Sequence, residues 1–487
     1  MGAQDSVAGD GIAEALLAVF FSSADLLASE LLLFAGVWFL IGAIDDFALD
    51  FVWLINQLRP SRRARRLGMG RTASPMRFAV FVPAWDEADV IGDMVAHSLA
   101  RWTGDNFRLY VGAYANDPAT YAAALAGARG DTRLRLISVD VTGPSSKADC
   151  LNRLWRAMRA DEVQQGWACD AVVLHDAEDV VHPAEFELYQ HWLVDHDFVQ
   201  IPVWPLIDPA SRLIGGHYAD EFAEAHLRKM PVRSRLGVAM PCAGVGCAFR
   251  HAMLQALGRA SGDDAPFATD SLTEDYELGI RIHERGGRGV FVRERDSCGD
   301  LVATRAFFPG ELSAAVRQKT RWMIGIALSG WDRTGWGGSI ADIWMRARDR
   351  RSALAALVLV AGYLGLALWS VVAIGNWLDL HRPAPLDPAA HVLLVATGCA
   401  LVWRLFVRAA CTGWNHGWRE ALWSLPRAFV SNIIAVMAAR RALLAYAASL
   451  RGGRLAWDKT RHRIPSASHL QQASAPASGA MLDEGHG

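Results

Sequence analysis

Residues 26–44 form an almost unbroken apolar run, interrupted only by Ser29 and Glu30, and this run constrains the fold more than any other feature. It approaches the ~20 residues a helix needs to cross the hydrocarbon core of a bilayer. Two further runs, 353–378 and 391–407, flank a short loop holding Arg382, Pro383, Ala384 and Pro385. Such a chain is expected to fold in two environments, with apolar helices in lipid and the charged stretches in water. Composition agrees. A hydrophobic content of 52% and a mean hydropathy of +0.14 exceed the balance of a water-soluble chain, while 21% charged residues exclude an all-membrane protein.

Arg59, Arg62, Arg63, Arg65 and Arg66 follow the first run directly. By the positive-inside rule they hold the next domain in the cytoplasm and leave the N-terminus outside. No basic stretch or small-residue cleavage site accompanies the run, so a removable signal peptide is not expected. A fourth apolar stretch, 428–450, carries Arg440 and Arg441 near its middle, where charge is expensive in lipid. An interfacial or re-entrant helix is therefore expected there rather than a span. The domain reading is an N-terminal segment with one span (1–58), a basic linker (59–77), a soluble domain (78–345), a membrane region (346–463) and a disordered tail (464–487) rich in Ser, Ala, Gln and Gly.

A net charge of −2 gives no global electrostatic case for nucleic acid. The seven cysteines, at 150, 169, 242, 247, 298, 399 and 411, form no CxxC pair and have no histidine at metal spacing. Reduced thiols, rather than a disulfide framework or a zinc site, are expected.

The central stretch alternates short β-rich runs (78–82, 108–114, 134–140, 171–175, 198–203) with helical stretches such as 89–99 and 148–160. That is the pattern of an α/β domain. It places Asp86-Glu87, Asn116-Asp117 and Asp176-Ala177-Glu178 at the carboxyl ends of strands, where open parallel sheets bind ligands. Asp176 and Glu178, two apart at a strand end, can converge on one divalent cation, although an isolated D-x-E is more often a solvated acidic turn. Asp179 either assists that pair or caps the turn. Glu274 and Asp275 offer carboxylates able to take a proton from an attacking hydroxyl, although Thr273 with acids in the first turn also reads as a helix cap. Gln318, Arg321 and Trp322 share one helical face, setting hydrogen-bonding groups beside an indole on which a sugar can stack, although a Trp on an amphipathic helix is more often a membrane-interface anchor. His182 and His217 each stand alone and read as structural.

Taken in order, these segments resemble family 2 glycosyltransferases, the superfamily of cellulose, chitin and hyaluronan synthases, over roughly residues 75 to 465. Val82-Pro83-Ala84-Trp85-Asp86-Glu87 and Asp176 to Pro183 resemble its bacterial phage-adsorption-protein-B-like branch. The resemblance implies a Rossmann-like GT-A domain inserted between transmembrane helices. It further implies that Pro83, Trp85, Glu87 and Asp117 line a nucleotide pocket, with Asp117 matching the carboxylate that reads uracil. Lys147 matches the lysine beside the donor, Asp176 and Glu178 the pair that holds Mg²⁺ or Mn²⁺, and Asp275 the general base next to Glu274. Arg321 lies near the diphosphate, with Gln318 and Trp322 on the acceptor. The loop from Pro241 to Ala248 resembles one that passes close to the donor. Asp86 stands where the family usually has Asn, and Glu178 where it has a second Asp.

The activity implied is inverting transfer of a sugar, an N-acetylhexosamine by branch resemblance, from a UDP-sugar to a growing saccharide at the inner membrane. The resemblance leaves room for an outer-membrane or export partner. Too little sequence follows Pro465 for the nucleotide-sensing domain of related branch members, so a separate regulatory subunit is expected. Two other readings stay open: a polyprenyl-phosphate monosaccharide transferase, and a non-catalytic inner-membrane scaffold for phage adsorption.

Overall fold

The computed structural model describes residues 2–58 and 75–453. The basic cluster after the first apolar run and the expected tail beyond residue 463 lie outside the described residues. Contacts divide the chain into two units, one comprising Met1–Phe51 with Arg351–Val407 and the other Val52–Arg350 with Arg408–Gly487. The chain opens with α1 (Gly2–Leu58), which extends well beyond the apolar run at each end.

The second unit is built on a seven-stranded sheet of order β3-β2-β1-β4-β7-β5-β8. Its strands are β1 (Phe78–Ala84), β2 (Phe107–Tyr114), β3 (Leu134–Val139), β4 (Ala171–Leu174), β5 (Phe198–Gln200), β7 (Cys247–Arg250) and β8 (Gly289–Phe291). β1 to β4 pair in parallel, and β7 runs antiparallel between β4 and β5. A second, two-stranded sheet joins β6 (Val203–Leu206) to β9 (Thr304–Phe307). The run expected as one strand over 198–203 is thus split between two sheets. Pro202 cannot donate to a ladder, and the buried Gln200 side chain turns aside to bond the carbonyls of Val245 and Gly246.

The sheet is covered on both faces, as a parallel sheet must be. Alternation along β1 shows this, with Phe78, Val80 and Val82 in one core and Ala79 and Phe81 in the other. The first core packs α2 (Ile91–Arg101), α3 (Pro118–Ala128) and α5 (Glu185–Trp192), through residues such as Met94, Ala124 and Leu188. The second packs α4 (Lys147–Gln165), α8 (His251–Ser261) and α9 (Glu274–Glu284) through Leu154, Leu254 and Leu278. Between β6 and β7 the chain forms α6 (Gly216–Glu224) and α7 (Met230–Leu236), joined by a π-helical turn. After β9 come α10 (Leu312–Met323), α11 (Ser329–Thr334) and α12 (Ile340–Arg350).

The remaining helices are α13 (Ser352–Trp377), α14 (Pro388–His416) and α15 (Trp418–Ser449). Within the first unit α13 approaches α1 closely at small residues. A Cβ on Gly365 would lie 3.0 Å from Leu32, and one on Gly375 2.3 Å from Phe21. This is the close packing that apolar helices use where lipid removes the hydrophobic incentive to associate. Arg351 pairs with Asp45 and Asp46, and Arg404 with Asp46, so these charges are neutralised against one another. Four described helices, α1, α13, α14 and α15, are long and apolar enough to cross a membrane. This is a membrane protein.

Candidate active site

The carboxyl ends of β1, β2 and β4 and the loop entering β7 meet at one edge of the sheet. The first turn of α9, the segment after β9 and one face of α10 close over that edge. Together they line a cleft of about 170 Å³, partly open to solvent. Pro83, Trp85, Glu87, Lys147, Asp176, Glu178, Glu274, Asp275, Gln318, Arg321 and Trp322 all border it. Every residue expected from the sequence is therefore here, apart from Asp117.

Asp117 is the N-cap of α3. Its Oδ1 accepts from Thr120 N at 3.2 Å and its Oδ2 from Asp86 N at 2.6 Å. It braces the turn after β1 from behind, where Asp86 adopts φ +53°. Left-handed backbone at a non-glycine residue costs of order 1–3 kcal/mol and needs this kind of support.

At the head of α4, Lys147 Nζ donates to Asp176 Oδ1 at 2.5 Å. Burial alone would lower the lysine pKa, but the carboxylates of Asp176, Glu274 and Asp275 raise it above its ordinary range, so the ammonium stays charged. Lys147 opens α4, whose N-terminus is capped by Ser146 through Asp149 N. The acids of α9 are raised as well, which for a carboxyl favours the neutral form. Burial, then the neighbouring Asp275 charge, pushes the Glu274 carboxyl up to about 7. Asp275 is also raised, first by burial, with Lys147 and Arg321 opposing. Carboxylates raised in a cleft suit proton acceptance near neutrality.

The far wall is α10. Its Gln318 Oε1 is buried with no hydrogen-bond partner among the described residues, an acceptor left over for a ligand hydroxyl. The Trp322 ring meets Tyr218 edge-on at 6.0 Å, and Lys319 lies over both rings while pairing with Glu221 of α6. The indole is thereby held in one orientation.

Residues 75–325 match the family described as "Glycosyltransferase like family 2". The chain belongs to that family. Over 91% of its length it is 32% identical to Bacteriophage adsorption protein B of Escherichia coli K12, and equally to Bacteriophage N4 adsorption protein B of E. coli O157:H7. It spans 63% of the length of these relatives. Among solved structures, the mannosyltransferase PcManGT of Pyrobaculum calidifontis, in complex with GDP-Man and Mn²⁺, superposes with a TM-score of 0.53 at 19% identity. That likeness covers 85% of this chain and 99% of the other. The family 2 domain here accordingly has the GT-A fold expected from the sequence.

The family 2 cleft has the chemistry of a hard-cation site. Six carboxylates line it (Glu87, Asp176, Glu178, Asp179, Glu274, Asp275) against the cations Lys147 and Arg321, an excess of negative charge that oxygen-ligated divalent ions relieve. No group of three or more His, Cys, Asp or Glu side chains among the described residues is arranged to hold a metal alone. Asp176, paired with Lys147, and Glu178 are oxygen donors of the type a hard divalent cation takes, and such an ion commonly completes its shell with water.

Several features of the domain escaped the sequence. His175, fully buried, lies between Asp179 at 2.9 Å and Glu185 at 3.0 Å. Burial would lower its pKa, but these two carboxylates push it up to about 10. Asp179 Oδ2 also accepts from Asp176 N at 3.0 Å, so it caps the turn, the second of the two roles open to it. Trp85 packs edge-on against Tyr114, whose hydroxyl lies 2.7 Å from Ser145 Oγ. Phe307 and Phe308 also line the cleft. Thr273 stands at the N-cap of α9 without a side-chain cap bond, and its hydroxyl packs against Gly325 instead. His182 is buried, with its ring nitrogen accepting from Ala184 N, and His217 is pushed down to about 4 by burial.

Proposed function

We propose that this chain is an inverting glycosyltransferase of a bacterial inner membrane, with its α/β unit in the cytoplasm. It transfers a sugar, an N-acetylhexosamine by branch resemblance, from a UDP-sugar to a growing saccharide in exopolysaccharide synthesis. One observation carries the reading. One cleft is lined by the Lys147–Asp176 pair, by Asp275, whose carboxyl interacts electrostatically with Lys147, Asp176 and Arg321, and by Gln318, Arg321 and Trp322.

In this reading the acceptor sugar stacks on Trp322 with a hydroxyl given to Gln318 Oε1, while the donor diphosphate lies along Lys147 and Arg321. Asp275 takes the proton of the attacking hydroxyl as its oxygen bonds to the anomeric carbon. The bond from that carbon to the diphosphate breaks and UDP leaves. One displacement inverts the anomeric centre, and a positioned base of this kind supplies roughly 10²- to 10⁴-fold in rate. Burial, with the neighbouring Asp176 charge, keeps the Asp275 carboxyl raised. Mg²⁺ or Mn²⁺ held by Asp176 and Glu178 would neutralise the diphosphate when bound. The arginines after the first apolar run support the cytoplasmic placement. An outer-membrane or export partner would carry the product onward.

The test is nucleoside diphosphate release by the purified chain in lipid nanodiscs with Mn²⁺. The donors are a panel of UDP-sugars plus GDP-Man, and product size is followed. Elongated saccharide from a UDP-sugar is the expected result. Transfer to polyprenyl phosphate alone would identify the lipid-linked alternative. No release with any donor would sink the enzyme reading in favour of the scaffold.

A further inference from the structure

Although α15 is long and apolar enough to span a bilayer, a row of its polar groups from end to end bonds to elements of the α/β unit. Near its start Glu420 pairs with Arg212 at 2.6 Å. Two turns on, the fully buried Arg427 reaches Asp220 of α6 at 2.7 Å. Ser431 donates to Glu221 at 2.9 Å, the Ala438 carbonyl accepts from Thr320 of α10, and Tyr446 donates to Asp332 of α11. From Glu420 to Tyr446 the helix runs about 39 Å at 1.5 Å per residue, longer than the ~30 Å hydrocarbon core. If α15 crossed the membrane, Asp220, Glu221 and Asp332 would be drawn into lipid with it, at about 2.5–3.5 kcal/mol for each charge near the centre on insertion scales.

The opposite face of α15 is apolar and exposed. Trp418, Leu422, Leu425, Phe429, Ile433 and Met437 recur at three- and four-residue spacing, with Leu444 two turns further along the same face and with Phe429 61% and Ile433 53% exposed. The only acid on the helix, Glu420, is turned inward and paired. Its exposed charges, Arg419, Arg440 and Arg441, are all basic, and Arg440 lies within the apolar stripe. An apolar stripe edged by arginines and free of acids complements an anionic lipid surface. The rings and aliphatic chains enter the acyl boundary, while the guanidinium groups reach back to phosphate.

We infer that α15 lies flat on the membrane as an anionic-lipid-binding helix, leaving three spans rather than four. Lipid then backs the acceptor wall, because α10 packs Ala315, Val316 and Thr320 toward α15 while presenting Gln318, Arg321 and Trp322 to the cleft. This does not depend on which sugar is transferred.

Depth measurement on the full chain in nanodiscs tests it. Cys298 and Cys399, the exposed cysteines among those described, are replaced by Ser. A bimane label is then placed in turn on cysteines substituted for Leu422, Phe429, Ile433 and Leu444, and quenched with lipids carrying nitroxides at shallow or deep acyl positions. The expected result is at least two-fold stronger quenching by the shallow probe at all four sites, at a common depth of about 5–10 Å. A profile that deepens toward Ile433 and becomes shallow again would establish a fourth span and overturn the inference. Absence of quenching would mean that solvent or protein covers the face, with the same consequence. In the Phe429 variant, exchanging phosphatidylglycerol for phosphatidylcholine, or introducing Arg440→Ser with Arg441→Ser, should at least halve the quenching. An unchanged signal in both would refute the anionic-lipid assignment.

Discussion

A Cβ on Gly244 would lie 2.3 Å from Oδ2 of Asp275. Gly244 also has φ +78°, a conformation that L side chains rarely adopt. The loop entering β7 and the first turn of α9 thus fit together only when this residue is glycine, and the fit sets where the Asp275 carboxylate points. Gly244→Ala should reduce kcat by about 10- to 100-fold, a share of what a positioned base contributes, while KM for the donor changes little. Steady-state kinetics beside a thermal melt separate this from unfolding. A variant with wild-type kcat would show that Asp275 tolerates displacement.

Replacing the carboxylate itself should act more strongly. Asp275→Asn is expected to lower turnover by roughly 10²- to 10⁴-fold and leave UDP affinity, read by calorimetry, within a few-fold of wild type. Turnover near the wild-type rate would remove Asp275 from the mechanism.

The pH profile should follow from the raised carboxyls at this site. A base must be deprotonated to work, and the Glu274–Asp275 pair, with Glu274 pushed up to about 7, holds protons at a pH where ordinary carboxyls have lost them. Activity should therefore be high above that range and fall as pH drops through it, well before the ordinary carboxylate range is reached. In Glu274→Gln the limb should simplify to one belonging to Asp275 alone. An acidic limb near pH 4 in the wild-type chain would contradict this assignment.

Chelation should abolish transfer, and Mn²⁺ or Mg²⁺ should restore it. In Asp176→Asn the cation concentration for half-maximal activity should rise at least about ten-fold, because one of two protein carboxylates for a hard cation is gone. Full activity in excess chelator would exclude the role given to Asp176 and Glu178.

Asp220→Ala removes one partner of the buried Arg427 and should destabilise the second unit by about 3–5 kcal/mol. Both side chains are fully buried, so water cannot compensate for the lost charge. Asp220→Leu with Arg427→Met should recover most of that loss, as read by denaturant melts in detergent.

What could be read from sequence was whatever chemistry is contiguous. Asp176, Glu178, Glu274, Asp275, Gln318, Arg321 and Trp322 stand in short motifs, each carried by a strand end or a single helix, and the fold brings the motifs to one cleft. Contacts between segments distant in the chain leave no local pattern. The His175 clamp joins residues four and ten positions away, and Gly244 meets Asp275 across separate elements. Asp117 is instructive for the opposite reason. The pair Asp117-Pro118, an N-cap acid followed by a first-turn proline, signals a helix start and could have located its carboxylate at the head of α3.

Because β7 runs against its neighbours, Cys247 at its start lies level with Leu174 at the end of β4, and its final residue, Arg250, lies beside Ala171. The chain thus delivers its ligand-facing loops to one rim and sends the turns near Gly130, Gly166 and Gly286 to the other. Around each of these glycines the space is open to 4 Å, and since their φ values of +83°, +64° and +79° favour glycine itself, additions belong beside them and not in their place. That rim is a set of insertion points for fluorescent reporters or affinity handles, from which sugar transfer can be followed without touching the groups that perform it.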